Sequence, residues 1–384
     1  MTDVNALTRA TAALDPPLAA LDLRAFRANA ADLVRRAGGK PVRVASKSVR
    51  CRWALEQALA TPGFAGVMAY SVREAIWLAK SGVTDVLLGY PSTEGTALAE
   101  LAADEALHDA ITLMVDDPAQ LAVIRAAGGR APLRVCLDVD ASLRIGPLHL
   151  GVRRSPIRTP AAAAVLAETV LAEGFQVVGV MFYEAQIAGL QDTSAAVRLM
   201  KKASAADLSR RRSAVVQAVR NVLPNPAAME IVNSGGTGSL EISSADPCVT
   251  EVAAGSGLYM SGIFDRYDAF ESRPSLYFAL PVVRKPARKI ATLFGGGYIA
   301  SGPAGRSRLP KLATPGLTLI GTEGAGEVQT PVTGPSELHI GDRVWLRHAK
   351  AGELLERFDT VHVVDGDRIV DSVPSYRGEG RNFG

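Results

Sequence analysis

The sequence predicts an α/β protein: a (β/α)8 barrel of the TIM type, followed by a smaller all-β C-terminal domain. Three observations lead to this fold class. From residue 22 to residue 260, short apolar, β-branched runs alternate with Ala- and Leu-rich helical patterns, which predicts parallel βαβ units. Eight such runs occur over about 240 residues, the usual span of a closed barrel. After residue 274, short apolar runs divided by Gly and Pro take over. An open doubly wound sheet is the structural alternative.

The predicted barrel strands lie where apolar, β-branched runs end at turn residues. They are Val42–Ala45, Gly66–Ala69, Asp85–Leu88, Ile111–Val115, Leu133–Asp138, Gln176–Phe182, Met229–Val232 and Thr250–Ala253. Asp22 can cap a helix from Arg24 to Arg36, which ends at Gly38-Gly39. The further helical patterns are Arg50–Ala60, Ser71–Lys80, Glu94–Ala106, Pro118–Ala127, Ala161–Ala172 and Thr193–Val222. The connection 139–159 is rich in Arg and Pro, so we expect a functional loop there.

The C-terminal part has the texture of an all-β domain. Its strand candidates are Ser275–Val283, Ile290–Phe294, Leu317–Ile320, Arg343–Leu346, Val361–Val364 and Arg368–Asp371. Asp365-Gly366 stands between two apolar runs, which predicts a tight hairpin. We therefore expect two domains, a cofactor-binding barrel over residues 15–274 and a β domain over residues 275–384.

Composition excludes several classes of function. Apolar residues make up 48% of the 384 residues, but no apolar run has the length that a membrane helix needs. The net charge of +3 is too small to indicate a nucleic-acid partner, and the cluster Arg210–Arg212 falls on a helical pattern that predicts a solvated face. Three scattered cysteines indicate reduced thiols. We expect a soluble, cytoplasmic protein that binds neither nucleic acid nor membrane.

Two glycine-rich loops follow the last two predicted strands. Strand seven leads into Ser234, Gly235, Gly236, Thr237 and Gly238, and strand eight into Gly255, Ser256 and Gly257. In barrels of this type the loops after strands seven and eight commonly bind phosphate, because bare backbone N–H groups meet a helix N-terminus there. The pair of loops therefore predicts a phosphate site at the barrel mouth.

Lys47 follows the first predicted strand, at the same end of the barrel. A lone lysine at a strand end is usually a surface charge, but this one ends an apolar strand. Burial and the nearby cations Arg43 and Arg50 would disfavour its charged form and leave the neutral amine that imine formation requires. A lysine opposite a phosphate site predicts a phosphorylated aldehyde cofactor, of which pyridoxal phosphate is the common example.

At these residues the sequence resembles the pyridoxal-phosphate enzymes of the alanine-racemase-like fold (fold type III), in particular the D-threonine aldolase and D-serine dehydratase-like branch. The resemblance covers nearly the whole chain and is carried by LDLRAFRANA, DVDASLRIG, SGGTG, AGSGLYM and FGGGYIAS. It implies that Lys47 forms the internal aldimine, that Arg144 lies near the phenolic oxygen of the cofactor and that Tyr183 lies against the cofactor. It also implies that the two glycine-rich loops bind the phosphate.

The sequence departs from this branch where the branch binds a divalent metal. The branch holds the metal in its β domain through a His followed two residues later by Cys or Asp, whereas this chain has His348 and then Lys350. A lysine ammonium has no free lone pair for a metal. The Glu-His-Gly pattern of the branch appears here as Thr322-Glu323-Gly324. We therefore expect no metal ligands, and we predict that Lys350 stands in for the metal as a fixed cation, with His348 as a second catalytic candidate.

The resemblance implies a lyase that forms an external aldimine with a D-β-hydroxy amino acid, and cleaves it in a retro-aldol reaction or dehydrates and deaminates it. An amino-acid racemase or epimerase is the alternative, since Tyr298 and Tyr376 are available as a second base. A non-catalytic carrier of pyridoxal phosphate is a third possibility, although known carriers of this fold lack the β domain. The resemblance also implies a homodimer, in which the β domain packs against the active site of the partner.

Overall fold

A computed structural model describes residues 3–129, 133–334 and 337–384. The chain divides into two compact units. The β unit comprises Met1–Asp32, Ser48–Gln57 and Ser256–Asn382; the barrel unit comprises Leu33–Lys47, Ala58–Gly255 and Phe383–Gly384. The predicted domain boundary between residues 274 and 275 stays a prediction.

The described part of the barrel unit contains a closed barrel of eight parallel strands. Its strands are Val42–Ala45, Phe64–Ala69, Val86–Leu88, Ile111–Val115, Arg134–Val139, Gln176–Phe182, Ile231–Ser234 and Glu251–Ala254. Each strand pairs with the next along the chain, and the last pairs with the first through Val252 and Val42. This arrangement confirms the predicted barrel and excludes the open doubly wound sheet.

Helices follow the strands, and capping side chains set where several of them begin. The α-helices of the described residues are Val4–Ala10, Leu23–Arg36, Arg52–Leu59, Val72–Lys80, Gly95–Ala103, Pro118–Ala126, Pro160–Ala172, Ala185–Ala188, Ala195–Val222, Leu240–Ser244 and Ser256–Tyr259. Asp22 Oδ1 accepts a hydrogen bond from the Ala25 N–H at 3.0 Å, so the predicted cap is confirmed. Asp117 forms a capping box with Gln120.

The inside of the barrel is filled by side chains from successive strands. Its core cluster consists of Leu87, Met114, Cys136, Val178, Met181 and Ile231, with Met68 packed against it. Gly179 is required where two strands approach closely, because a Cβ at this position would lie 2.4 Å from the carbonyl oxygen of Ile231. The barrel is therefore a packed core, and its polar groups collect at the strand ends.

The described part of the β unit contains a nine-stranded sheet. Its strands are Leu18–Asp22, Leu276–Ala287, Ile290–Phe294, Lys311–Leu312, Thr318–Leu319, Gln329–Thr333, Arg343–Arg347, Thr360–Asp365 and Arg368–Pro374. Asp365 pairs with Arg368, and Gly366 has φ +67° between them, so the predicted hairpin is confirmed. A cluster formed by Leu7, Leu18, Ala20, Tyr277, Ala279, Trp345 and Val364 packs within this unit.

Three strands of this sheet escape the sequence analysis. Leu18–Asp22 pairs antiparallel with Leu276–Ala287 and parallel with Thr360–Asp365, so its partners lie more than 250 residues away in the chain. Gln329–Thr333 contains Pro331, which lowers the strand signal of the run. Lys311–Leu312 is only two residues long.

The connection 139–159 is more ordered than the sequence predicts. It contains a small hairpin, in which Leu143–Ile145 pairs with Leu148–Leu150. Gly146 has φ +55° in the turn, which glycine adopts without strain. In the part of the chain that the structure describes, no helix combines the length and the apolar character needed to span a bilayer.

Candidate functional site

Lys47 lies at the carboxyl end of the first barrel strand, in the short 3-10 turn Ser46–Ser48. The residue is half-buried, and its Nζ donates a hydrogen bond to the Tyr90 hydroxyl. Tyr90 follows the third barrel strand, so two neighbouring strand ends bring an amine and a phenol into direct contact. The sequence predicts Lys47 as a site residue but does not single out Tyr90.

Arg154 lies over two tyrosine rings of the barrel mouth. Its guanidinium carbon is 5.6 Å from the ring centre of Tyr90 and 5.1 Å from that of Tyr183, within the range of cation–π contacts. Tyr183 in turn borders the first glycine-rich loop, since its Cε2 is 3.5 Å from the place where a Cβ on Gly236 would lie. Lys47, Tyr90, Arg154 and Tyr183 therefore form one contiguous group, which we call the lysine side.

The two tyrosines of the lysine side differ in acidity. Burial raises the pKa of Tyr183, although Lys47 and Arg154 act in the opposite direction. Burial also acts to raise the pKa of Tyr90, but its hydrogen bond and charge interaction with Lys47 and the charge of Arg154 outweigh burial and lower it. Tyr183 therefore keeps its proton near neutral pH, and Tyr90 is the more acidic of the two phenols.

Two buried carboxyl groups, Asp116 and Asp138, stand at adjacent strand ends on the same side. Burial first and the neighbouring Asp116 second raise the pKa of Asp138 to about 7, while Arg154 opposes the rise. Burial also raises the pKa of Asp116. Two carboxylates this close and this buried disfavour double ionisation, so the pair retains a proton near neutral pH.

Asp140 forms ion pairs with two arginines of the loop 139–159, Arg144 and Arg158. It accepts hydrogen bonds from Arg144 at 2.7 Å and Arg158 at 3.1 Å, and from the backbone and side chain of Ser142. Burial alone would raise the pKa of Asp140, but these partners hold that pKa below its usual value. Arg144 is exposed and paired with Asp140. Its predicted role near the cofactor stays a prediction.

Glu184 binds the first glycine-rich loop, Gly235–Gly238, and the serines on either side of it. This fully buried carboxylate accepts hydrogen bonds from Ser234 Oγ at 2.9 Å, the Gly235 N–H at 3.2 Å and Ser239 Oγ at 2.7 Å. The Ser243 hydroxyl also donates to it. We call Glu184 and these partners the loop side.

The backbone groups of this loop are partly used by the loop itself. Because the Gly235 N–H goes to Glu184 and the Gly236 N–H goes to Ser239 Oγ at 3.1 Å, these two donors serve the loop conformation. Gly235 has φ +100°, which favours glycine. Thr237 is buried and its carbonyl accepts from Arg36 at 2.6 Å.

Arg212 supports the loop side from the long helix Ala195–Val222. It pairs with Asp246 and donates to Ser234 Oγ at 2.8 Å. Together with Glu184 it lines a cavity of about 300 Å³ whose other walls are mainly apolar residues of this helix and the segment 242–247. The dense arginine cluster 210–212 therefore includes a buried structural arginine, since Arg212 is 3% exposed.

The second glycine-rich loop starts at Gly255 at the end of the last barrel strand. A Cβ at Gly255 would lie 2.3 Å from the carbonyl oxygen of Ala45, so only glycine fits beside the strand that leads to Lys47. Ser256 and Gly257 belong to the β unit, where they open the short helix Ser256–Tyr259. Ser256 is half-buried and Gly257 is buried.

The two arginines expected to disfavour the charge of Lys47 are each bound to carboxylates. Arg43 is almost fully buried and pairs with Asp85 at 2.8 Å and Glu251 at 2.7 Å. Arg50 pairs with Glu356 at 2.6 Å. Their charges are therefore at least partly balanced by carboxylates, and their effect on Lys47 stays a prediction. Arg154 is the cation that stands on the lysine side.

His348 and Lys350 differ sharply in their surroundings within the β unit. His348 is 2% exposed, and burial first and Arg347 second lower its pKa to about 3, against the backbone of Leu276. Its ring lies edge-on to Tyr259, and neither ring nitrogen makes a hydrogen bond of normal geometry to a described residue. Lys350 is exposed, and its Nζ donates to Ser301 Oγ at 3.1 Å.

No metal-binding group of three or more His, Cys, Asp or Glu side chains occurs within residues 3–129, 133–334 and 337–384. Glu323, which lies in the segment Thr322-Glu323-Gly324, is exposed. The predicted catalytic roles of His348 and Lys350 stay predictions. A neutral His348 supplies no positive charge at neutral pH, whereas an exposed lysine does.

Several residues of the barrel mouth receive no role in the sequence analysis. Tyr90, Asp138 and Glu184 lie at strand ends, so their position in the predicted barrel is a usable signal. Arg154 lies in the long loop, and nothing in its spacing distinguishes it from the other arginines there.

Comparisons with known proteins agree with this architecture. The family model described as "Alanine racemase, N-terminal domain" matches residues 21–262. A D-threonine aldolase of Arthrobacter sp is 27% identical over 316 residues, covering 80% of this chain and 78% of that protein.

Two solved structures extend the similarity beyond the barrel. The D-threonine aldolase from Filomicrobium marinum matches with a TM-score of 0.78 at 20% identity, covering 95% of this chain and 96% of the other. The D-threo-3-hydroxyaspartate dehydratase from Delftia sp. HT23 matches with a TM-score of 0.73 at 19% identity, covering 94% and 97%. The shared fold therefore includes the β-rich C-terminal region.

Proposed function

Because the chain belongs to the alanine racemase N-terminal domain family, we propose that it is a pyridoxal-phosphate-dependent lyase that acts on D-β-hydroxy amino acids. The observation that carries the proposal is the contact of Lys47 with Tyr90 at a barrel mouth that also contains a preformed glycine-rich loop. The similarity to an aldolase and to a dehydratase of D-amino acids supports the lyase reading.

The residues of the barrel mouth fit pyridoxal phosphate. Lys47 provides the amine, Tyr183 a ring beside the loop, and the glycine-rich loop Gly235–Gly238 the close backbone approach that a phosphate needs. The close approach of Gly255 to Ala45 leaves room for no side chain at the end of the last strand. When bound, the cofactor supplies an electron sink for the charge that develops at the carbon next to the substrate carboxylate.

The chain's own residues divide the remaining work. Lys47 supplies the amine that would bind the aldehyde, and Tyr90, whose hydroxyl accepts the hydrogen bond from Lys47 Nζ, orients that amine. Tyr183 stays a neutral phenol and orients what lies against it. Lys350 serves as the fixed cation that stands in for a metal beside the substrate hydroxyl. The role proposed for Lys350 requires activity that survives complete chelation.

Incubation of the loaded protein with D-threonine tests the proposal. Retro-aldol cleavage breaks the Cα–Cβ bond and gives glycine and acetaldehyde. Dehydration removes the hydroxyl as water, and hydrolysis of the resulting imine by a water molecule gives 2-oxobutanoate and ammonia. Either pair of products, formed without added divalent ions after chelation, supports the lyase with Lys350 as the cation. Activity that returns only on adding a divalent ion refutes the role of Lys350.

The same incubation tests the alternatives. Threonine epimers without cleavage products would favour the racemase or epimerase, for which Tyr298 is half-buried and Tyr376 is fully buried. Cofactor bound without any turnover would favour the carrier. The homodimer and the cytoplasmic location remain predictions, and sedimentation of the loaded protein at several concentrations checks the first.

A further inference from the structure

We propose that Arg154 binds a carboxylate group of the substrate. The inference rests on the proposed function, since it requires an amino acid that reacts at Lys47. It assigns a recognition role to a residue of the long loop 139–159, where the sequence analysis places Arg144 as the functional arginine.

The position of Arg154 is fixed by three neighbours on the lysine side. Its guanidinium lies over the rings of Tyr90 and Tyr183, and its charge acts on the carboxyl group of Asp138. Tyr90 is the residue that contacts Lys47 Nζ. The guanidinium of Arg154 and Lys47 Nζ lie 5.6 and 5.1 Å from the centre of the same Tyr90 ring, so an anion held by Arg154 lies in the same part of the mouth as the amine.

Three other arginines of this region are already occupied. Asp140 accepts from Arg144 and Arg158, and Arg211 donates to the carbonyl oxygens of Asp140 and Ser142 at 2.6 and 3.1 Å. Arg154 forms no ion pair with a carboxylate of the described residues. Of these four side chains it is the one that donates no hydrogen bond to an acceptor among the described residues.

The geometry of the contact favours a carboxylate. A guanidinium that lies over aromatic rings uses its faces for the rings, and its N–H groups remain at the edge of the plane. Two parallel N–H groups at such an edge match the two oxygens of a carboxylate. The exposure of Arg154 leaves this edge accessible from solvent.

The carboxyl groups near Arg154 match its charge only in part. The buried Asp116 and Asp138 together retain a proton near neutral pH. The carboxylate of Asp140 is matched by Arg144 and Arg158. The guanidinium of Arg154 can therefore attract an anionic group of the substrate.

Paired ligands test Arg154 without requiring turnover. We would titrate the protein loaded with pyridoxal phosphate with D-threonine and with 1-aminopropan-2-ol, which has the same skeleton but hydrogen in place of the carboxylate. The absorbance change of the bound cofactor reports binding of both amines. We expect Arg154→Gln to weaken D-threonine binding about tenfold to hundredfold, the usual effect of losing hydrogen bonds to a charged group. The affinity for the amino alcohol should change by less than about threefold.

Arg153→Gln is the matched control, because it removes the same charge from an adjacent, exposed position. In Arg153→Gln the ratio of the affinities for D-threonine and 1-aminopropan-2-ol should equal that of the unmodified protein. In Arg154→Lys this ratio should lie between those of the unmodified protein and Arg154→Gln. Equal losses for both ligands in Arg154→Gln, a loss of cofactor affinity with an unchanged ratio, or identical behaviour of the two Gln variants would each overturn the proposal. If Arg154→Gln does not fold, the ratio measured with Arg154→Lys decides in the same way.

D-threo-3-hydroxyaspartate identifies which carboxylate is bound. A loss equal to that of D-threonine in Arg154→Gln assigns the carboxylate next to the amine, and a loss larger than that of D-threonine shows that Arg154 also binds the distal one. Both results support a carboxylate ligand. If the unmodified protein converts none of these amino acids, the proposed lyase function fails, whereas the affinity ratio still decides the role of Arg154.

Discussion

The loop side and the lysine side of the barrel mouth differ in how their polar groups are satisfied. On the loop side, one buried carboxylate accepts from three serine hydroxyls and a backbone N–H, and Arg212 adds a further donor to Ser234. On the lysine side, Tyr90 and Asp138 have pKa values shifted by their neighbours, and Arg154 lies on aromatic rings.

This difference indicates that the loop side binds the cofactor and the lysine side carries out the chemistry. A saturated, buried network costs much to rearrange and keeps its donors in a fixed geometry, which suits an anion that stays bound. Groups with shifted pKa values and unbalanced charge exchange protons and bind ligands near neutral pH. Changes on the lysine side should therefore act on chemistry and recognition, and changes on the loop side should act on stability and cofactor affinity.

Lys47→Ala should have the largest effect and act on chemistry alone. Without the amine no covalent bond to the cofactor can form, so the visible absorbance of the bound cofactor should disappear. Lyase activity should fall by roughly a thousandfold or more, as expected for removal of a covalent nucleophile. Product formation and absorbance measure the two effects. Lys80→Ala, which removes an exposed lysine paired with Glu100, should leave both unchanged.

A persistent cofactor absorbance in Lys47→Ala would contradict the assignment of the lysine. A large loss of thermal stability in this variant would contradict the comparison itself, because it would give the lysine side a structural role that the half-buried Lys47 is not expected to have.

Glu184→Ala should instead destabilise the fold. It leaves the Ser239 and Ser243 hydroxyls and the Gly235 N–H buried without their acceptor, at a cost of about 2–4 kcal/mol in the free energy of unfolding. Denaturant unfolding measures this cost. Glu184→Gln, which keeps one carbonyl acceptor, should lose about half as much. The exposed Glu168→Ala should change stability by no more than about 0.5 kcal/mol.

Cofactor affinity separates a positioning role of Glu184 from mere stability. Because Glu184 fixes the Gly235 N–H, the phosphate loop should lose its geometry in Glu184→Ala even at temperatures where the protein is folded. Equilibrium binding of pyridoxal phosphate should weaken in Glu184→Ala and be partly restored in Glu184→Gln. Unchanged affinity in a folded Glu184→Ala would show that the loop does not depend on this carboxylate.

The sequence predicts these two sides unequally. The barrel strands are readable because strands buried on both faces are continuous β-branched runs, so Ile111–Val115 and Gln176–Phe182 are predicted at both ends. The glycine-rich loops follow from the strand order. Leu18–Asp22 is not readable, because it is rich in Ala and its pairing partners are remote in the chain. The preference for Arg154 over Arg144 depends on which arginines Asp140 binds, and spacing does not determine that.

The pH dependence of stability should show the smallest effect and should originate on the lysine side. The folded protein holds the proton of Asp138 up to a pKa of about 7, whereas the unfolded chain releases it near the ordinary value of 3.8. Between these two values the folded state binds more protons, so stability falls as the pH rises and is lost through pH 7. From roughly pH 5.5 to pH 8 the loss amounts to about 2 kcal/mol.

Asp138→Asn should remove most of this slope, because the amide does not ionise; urea unfolding at the two pH values measures it. Asp116→Asn removes one cause of the raised pKa and should move the loss of stability to lower pH, although Asp116 itself titrates with the same sign. Arg154→Gln should move the loss of stability to higher pH, because the Arg154 guanidinium lowers the pKa of Asp138. The same substitution at the exposed Arg153 should leave the pH of this loss unchanged. A slope that persists in Asp138→Asn would place the titrating group elsewhere. A slope that disappears in Glu184→Gln would place it on the loop side and reverse the comparison between the two sides.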